Sequence, residues 1–94
     1  MLFGDRIRQL REEKQMLQRQ FAAMLEIDTP MYSKIERGER RAKREQVIAL
    51  AQIFKVNPNE FLSLWLADQI TEVIKDEKEL AGKALSIVIK HIKN

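Results

Sequence analysis

The chemistry most evident in this sequence is a cluster of basic side chains near its middle. Residues 34–44 contain six Lys or Arg and two Glu, so these eleven residues carry a net charge of +4. The six basic residues are Lys34, Arg37, Arg40, Arg41, Lys43 and Arg44. Such a density of guanidinium and ammonium groups is typical of a surface that contacts phosphates. A solvated basic loop has the same composition, and charge alone does not separate the two interpretations.

Other reactive groups are few. The chain has no Cys and a single His, which excludes disulfides and thiolate metal sites and leaves no cluster of His ligands. There is no Gly-rich phosphate loop, and 94 residues are too few to enclose a substrate easily. We therefore expect a protein that is not an enzyme and that needs no metal, cofactor or small-molecule ligand. His91 is expected to complement the dipole of a helix C-terminus.

Composition indicates one small helical domain. The chain is 45% hydrophobic and 33% charged, with three Gly and two Pro, which argues against a disordered chain or a β-sandwich. Charges at Asp5, Arg6 and Arg8 interrupt any signal-peptide pattern at the start. The longest uncharged run, residues 46–54, is half as long as a membrane span. We expect a soluble, cytoplasmic protein that makes no membrane contact.

The spacing of apolar residues predicts an all-α fold. The expected helices cover about residues 4–14, 18–25, 29–36, 44–55, 58–74 and 77–93. Asp28 and Asn57 are expected N-caps, with Glu60 completing a capping box, and Gly38 is expected to end the third helix. A short terminal strand is the alternative for the last segment, because residues 87–89 are β-branched and a glycine in a helix costs about 1 kcal/mol.

The second and third expected helices are short and are joined by a tight turn, which is the helix-turn-helix plan. Ala22 is small where the two helices should cross closely, and Ile27 follows the turn, where it can fill the core. With Tyr32 and Ile35 turned inward, helical geometry places an outward face on the third helix. That face consists of Thr29, Pro30, Ser33, Lys34 and Arg37.

This pattern resembles the Cro/repressor-type helix-turn-helix domain, the XRE-like family of bacterial and phage regulators. The matching residues are Gln18, Phe21-Ala22, Leu25, Ile27, Ser33-Lys34-Ile35-Glu36-Arg37-Gly38, Val47, Leu50-Ala51, Val56 and Phe61-Leu62. The resemblance covers about residues 4–64. It implies a five-helix repressor-like domain in residues 1–64, followed by a helical C-terminal extension in residues 65–94.

The resemblance also implies a role for each matched position. Major-groove base contacts are expected from Thr29, Pro30, Ser33 and Lys34. Phosphate contacts are expected from Gln18, Arg37, Arg40, Arg41 and Arg44. In some members of the family a buried ion pair joins the first and third helices, and the matching residues are Arg11 and Glu36. The implied partner is double-stranded DNA.

Three positions depart from the family pattern. Leu17 stands where a Ser or Thr usually caps the second helix, which removes about 1 kcal/mol of capping. Glu26 replaces the usual glycine of the turn and must adopt a left-handed conformation at a cost of about 1 kcal/mol. Pro30 replaces a residue that often hydrogen-bonds to bases and offers apolar contact only. The last departure weakens the expected base readout but leaves the expected fold unchanged.

The C-terminal extension is rich in large apolar side chains, and residues 63–94 carry five acidic and five basic residues. Exposed together, these apolar side chains would form a patch larger than a soluble monomer usually shows. We therefore expect the extension to form a homodimer through Trp65, Leu66, Ile70, Val73, Leu85, Val88 and Ile92. The alternative is an extension that folds back on its own domain.

Together these patterns predict a sequence-specific, DNA-binding transcriptional regulator, expected to be a dimeric repressor of a palindromic operator. The alternative is an antitoxin-like protein that binds a toxin partner through its C-terminal helices and autoregulates its operon. Control of a restriction–modification operon is a third possibility within the DNA-binding class.

Overall fold

The computed structural model describes residues 2–94, which form six α-helices and, within that range, no strand. The helices are α1 (Leu2–Glu13), α2 (Gln18–Met24), α3 (Thr29–Glu36), α4 (Arg44–Phe54), α5 (Pro58–Ile74) and α6 (Lys78–Lys93). The predicted all-α class is confirmed. The last segment is a helix, although three of its residues in a row are β-branched.

Five aromatic rings hold the first five helices together, and each helix supplies one of them. Tyr32 of α3 stacks on Phe21 of α2, which stacks on Phe54 of α4 at a centroid distance of 4.9 Å. Phe54 then meets Phe61 of α5 edge to face, and Phe61 meets Phe3 of α1 in the same way. All five rings are buried. Because offset and edge-to-face contacts favour particular ring orientations, this chain of rings helps to set how the helices pack.

The expected N-caps of α3 and α5 are present. The Asp28 carboxylate accepts the backbone N–H three residues on at 2.7 Å, and the Asn57 side chain accepts the N–H two residues on at 2.9 Å. Glu60 was expected to close a capping box at the start of α5. It pairs instead with Arg6 of α1 at 3.4 Å, because α1 packs against α5 and brings a guanidinium within reach.

In the turn between α2 and α3, Glu26 adopts the left-handed conformation that was expected of it. Glu26 has a φ of 59°, in the left-handed region, where a side chain is strained. Its own N–H and that of Ile27 bond to carbonyls of the last turn of α2, at 3.1 and 3.0 Å. At the start of α2, Leu17 provides no side-chain cap, because an aliphatic side chain cannot accept a hydrogen bond. The Gln20 side chain accepts the Leu17 N–H at 2.7 Å and so satisfies that donor.

Helix α5 runs past the expected boundary between residues 64 and 65 without interruption. The break between helices lies at residues 75–77, ten residues later. Beyond that break, α6 has no buried residue and makes no extensive contact with the five-helix domain. The extension therefore consists of the second half of α5 and a helix that stands away from the core.

Helices α1 and α3 approach each other backbone to backbone at Gly4. A Cβ at this position would collide with the carbonyl oxygen of Glu36 and lie 3.1 Å from that of Ile35. Neither obstacle is a flexible side chain, so a larger residue would force the two helices apart. Gly4 thus sets the distance between α1 and α3.

Gly4→Ala is expected to destabilise the domain by about 1–3 kcal/mol, although alanine has the higher helix propensity, because the new methyl group overlaps the α3 backbone. The matched control is Gly82→Ala in α6, where a Cβ would meet nothing within 4 Å. The control should raise the helix content without lowering stability. Urea unfolding followed by circular dichroism measures both effects, and equal behaviour of the two variants would contradict the close approach.

Candidate nucleic-acid interface

The outward face of α3 is accessible as expected. Thr29, Pro30 and Lys34 are exposed and Ser33 is partly exposed, while Tyr32 on the opposite side is fully buried. Among residues 2–94 the Lys34 ammonium has no hydrogen bond or ion pair. The Lys34 side chain is therefore free to donate to an external acceptor.

Arg37 is also exposed, but its guanidinium is already held by neighbours. Its Nε donates to the Glu39 carboxylate, and its Nη1 donates to the Ser33 hydroxyl at 2.5 Å. These contacts balance part of its charge and engage a hydroxyl that was expected to face bases. A contact of the Arg37 guanidinium with a ligand therefore competes with Glu39, whereas the Ser33 hydroxyl accepts from Arg37 and keeps its own O–H as a donor. This cluster was not predicted from the sequence, although a Glu two residues after an Arg is a pattern that allows such a pair.

The remaining basic groups lie in the basic loop, residues 38–43, and at the start of α4. Arg40, Arg41 and Arg44 are exposed and make no ion pair within the described part of the chain. The loop is held in place at Ala42, which is buried and whose carbonyl accepts the indole N–H of Trp65 at 2.8 Å. The backbone N–H groups of Glu39 and Lys43 also bond, to the Lys34 carbonyl and the Gln46 side chain, both at 2.8 Å. The loop is thus held at several points, while the three neighbouring guanidinium groups have no ion pair in the described chain.

The structure places Trp65 differently from the sequence-based expectation. It was expected at a dimer surface, but its ring packs against the core of its own domain and its N–H bonds to the basic loop. A buried or half-buried indole usually finds such an acceptor, and a loop carbonyl is a common one. The other expected dimerisation residues of α5, Leu66, Ile70 and Val73, are exposed.

A buried carboxylate connects the helices behind this surface. Glu36 of α3 accepts two hydrogen bonds from Arg11 of α1, at 2.7 Å from Nε and 3.1 Å from Nη2. It accepts a third from the Gln18 amide of α2 at 3.1 Å. The remaining Arg11 nitrogen donates to the carbonyl of Met16 at 3.0 Å. One carboxylate therefore joins α1, α2 and α3, and the ion pair expected from the resemblance is present.

These contacts determine the protonation states of the cluster. The hydrogen bond to Glu36 raises the pKa of Arg11 above its ordinary value, against the opposing effect of burial, so the guanidinium stays charged. Burial, with the Glu36 carboxylate adding to it, raises the pKa of the Tyr32 phenol. The Tyr32 hydroxyl is the one buried side-chain polar atom of the described chain without a hydrogen bond. Tyr32 therefore remains neutral beside the ion pair.

The contact with Glu36 also orients Gln18, which was expected to contact a phosphate. The amide donates one N–H to the carboxylate, and this leaves its second N–H and its oxygen available. Gln18 is the first residue of α2 and is partly exposed. The sequence indicated that Gln18 and Glu36 belong to one motif, but it did not indicate that they touch.

A cleft of about 240 Å³ opens between the basic loop and α5, lined by Arg40 and Arg41 on one side and by Asp68 and Glu72 on the other. Both acids already have partners. Asp68 accepts the first two described backbone N–H groups of α1, at 2.8 and 2.9 Å, and Glu72 pairs with Lys75 at 2.8 Å. The acidic side of the cleft therefore serves the fold.

Two further classes of site are missing from the described residues. No group of three or more His, Cys, Asp or Glu lies close enough to hold a metal ion. None of the helices in residues 2–94 combines the length and apolar character needed to cross a membrane.

Comparison with known proteins gives one match. A family model described as helix-turn-helix matches residues 7–61, which is more than half of the chain and spans α1 to the start of α5. The matched region contains the outward face of α3, the basic loop and the Glu36 cluster. No curated protein and no solved structure matches the chain.

Glu36→Gln is expected to destabilise the protein by about 3 kcal/mol, because it leaves the mostly buried Arg11 guanidinium without a counter-charge. The double variant Arg11→Met, Glu36→Leu should recover part of this loss by removing both charges. The control is Glu12→Gln, which breaks the exposed pair of Glu12 with Arg8 and should change little. Urea unfolding measures all three, and similar losses for Glu36→Gln and Glu12→Gln would refute the structural role of the buried pair.

Proposed function

The chain belongs to the helix-turn-helix family of Cro/C1 (XRE) type and is a DNA-binding transcription regulator, and from that premise we propose that it is a dimeric repressor that reads a palindromic operator. Bound at a promoter, such a dimer excludes polymerase by occupying the site. The observation that carries this proposal is the accessible face of α3 with unpaired basic groups on and beside it. These groups are Lys34, Arg40, Arg41 and Arg44.

Base recognition is assigned to the outward face of α3. An α-helix fits the major groove, where a lysine can donate to guanine O6 and N7. Lys34 is suited to this contact because it is exposed and has no partner in the described chain. Thr29 offers a hydroxyl to a base edge, and Pro30 offers apolar contact to a thymine methyl. Ser33 can donate its hydroxyl hydrogen to a base edge, because the hydroxyl only accepts in its bond with Arg37.

Phosphate contacts are assigned to Arg40, Arg41, Arg44 and the free N–H of Gln18. Each phosphate neutralised by a cation releases counterions, so the logarithm of affinity falls with the logarithm of salt by about 0.9 per contact. Three arginines per protomer therefore predict a steep salt dependence. Phosphate contacts carry no sequence information, so they contribute affinity and position the protein on the duplex. Specificity for a base sequence is assigned to α3.

Dimerisation is the part of the proposal that concerns the extension. A two-fold dimer of this class places two recognition helices about one DNA turn (~34 Å) apart, so an inverted repeat is the expected target. Support comes from the apolar side chains that the domain leaves uncovered. Val73 and Ile92 are 81% and 75% exposed, and Leu66, Ile70 and Val88 are exposed by about half.

The experiment that tests the proposed function is selection from a random duplex DNA library at moderate salt, followed by sequencing. Recovery of an inverted repeat with half-sites one helical turn apart would support a dimeric repressor. Retention of DNA without a preferred sequence would contradict base reading by α3. If no DNA is retained, the proposed repressor is wrong, and a protein partner such as the toxin of the alternative hypothesis becomes the better target.

Lys34→Ala and Arg40→Ala are expected to change DNA binding in different ways. Lys34→Ala should lose about 1–3 kcal/mol of discrimination at one base position, because it removes a base contact. Arg40→Ala should weaken binding to all sequences alike and reduce the salt slope of the dimer by about 2, because it removes one phosphate contact from each protomer. Titration of selected and scrambled duplexes at several salt concentrations distinguishes the two. If Lys34→Ala lowers the affinity for every duplex equally, its groove assignment is wrong.

Glu39→Gln is expected to strengthen binding to any duplex several-fold and to steepen the salt dependence, because it releases the Arg37 guanidinium from its counter-charge. The matched control is Glu60→Gln, which frees Arg6 from an exposed pair between α1 and α5. The control makes the same change in net charge but frees an arginine that is not assigned to DNA. It should therefore have the smaller effect on binding. Equal effects of both variants would mean that only net charge matters and that Arg37 does not meet DNA.

A further inference from the structure

Helix α6 has an apolar face that its own chain does not bury. Its apolar side chains are Leu80, Ala81, Ala84, Leu85, Ile87, Val88, Ile89 and Ile92. At 100° per residue these positions cover about half of the helix circumference, with His91 among them. Lys83, Lys90 and Lys93 lie on the opposite side. No residue of α6 is buried, so the domain does not cover this face.

We propose that the apolar face of α6 binds the same face of a second copy of this chain, with the two helices antiparallel and the two-fold axis between residues 84 and 85. This inference deepens the proposed function and rests on its dimer. A two-fold axis requires the same patch on both copies, so a self-complementary helix face is the surface to expect.

Charge along α6 favours the antiparallel arrangement. Residues 76–79, at the start, contain Asp76, Glu77 and Glu79 against one lysine, for a net charge of −2. Residues 90–93, at the end, contain two lysines and no acid, for a net charge of +2. An antiparallel pair brings the acidic start of each helix to the basic end of the other. A parallel pair would place like charges together at both ends, which is unfavourable.

The sizes of the side chains indicate the register. With the axis between residues 84 and 85, Ala81 of one copy lies opposite Val88 of the other, and Ala84 lies opposite Leu85. The contacts nearest the axis thus pair a small residue with a larger one, so that the two helices can interdigitate closely, and Leu80 meets Ile89 at the flank. Moving the axis by a whole turn would place alanines opposite alanines or large residues opposite each other.

The exposed apolar area of α5 and α6 together approaches that of a standard dimer interface. Eight large apolar side chains of α5 and α6 are between 47% and 81% exposed. They are Leu66, Ile70, Val73, Leu80, Ile87, Val88, Ile89 and Ile92. Exposing on the order of 100 Å² each, they approach the roughly 800 Å² that one partner contributes to a standard interface. The antiparallel register also brings Ile92 of the second copy to the 75–77 turn. This turn follows the exposed apolar stripe of α5, which consists of Leu66, Ile70 and Val73.

The absence of cysteine from the chain makes disulfide trapping a direct test of this register. Ala81→Cys and Val88→Cys variants of the full chain are oxidised with diamide at micromolar concentration, each alone and as a mixture. The mixture should give at least ten times more cross-linked dimer than either variant alone, since position 81 of one copy faces position 88 of the other. Ser86→Cys, on the polar side of α6, is the control and should not cross-link. Cross-linking of Ala81→Cys alone at the level of the mixture would overturn the antiparallel register.

Charge reversal tests the pairing of the helix ends. Lys90→Glu with Lys93→Glu in one chain, and Glu77→Lys with Glu79→Lys in another, should each raise the dimer dissociation constant several-fold in sedimentation equilibrium at low salt, because exposed charges interact weakly across an interface. Mixing the two variants should restore dimers, because both ends of the mixed dimer then carry opposite charges. A failure of the mixture to restore dimers overturns the pairing, and a wild-type chain that stays monomeric at micromolar concentration overturns the interface.

Both measurements are made without DNA, so their failure differs from failure of the proposed function. A chain that selects an inverted repeat but does not pair through α6 would overturn this interface alone. A chain that pairs through α6 but retains no DNA would overturn the repressor and leave the α6 interface standing.

Discussion

The arrangement of this domain depends on one buried carboxylate. Glu36 lies at the end of α3 and accepts hydrogen bonds from α1 and α2, so its two oxygens fix three helices relative to one another. A buried carboxylate is stable only when its charge and its lone pairs are matched, and Arg11 supplies both. The same residue contributes the carbonyl that α1 approaches at Gly4. A change at either contact moves the helix that carries the outward face.

The structure separates its charged groups into two sets. The charges that position helices are paired and at least partly buried, as in the Arg11–Glu36 bond. The charges assigned to phosphates are exposed and unpaired within residues 2–94, as in Arg40 and Arg41. Arg37 is intermediate, because it is exposed but held by Glu39. This separation matters because a group already satisfied inside the protein must lose those bonds before it can gain others.

The sequence predicted the elements and the outward face of α3 because both depend on local rules. Asp28 marks the start of α3, and the spacing of Tyr32 and Ile35 determines which side is buried. Contacts between residues that are distant in the sequence could not be predicted from local rules. The bond from Trp65 to Ala42 depends on how helices pack, and no local pattern specifies that. The ion pair of Arg11 with Glu36 was predicted only from the resemblance to the helix-turn-helix family.

Helix α5 links the two surfaces to which function is assigned. It runs unbroken for 17 residues, about 25 Å. Near its middle Trp65 holds the basic loop, and its second half carries the exposed stripe that leads to α6. Because a continuous helix is stiff, the position of the loop and of α3 relative to the end of α5 is fixed within one protomer. In the proposed dimer, the spacing between half-sites would be set by residues 75–77, the short break between the DNA-facing domain and α6.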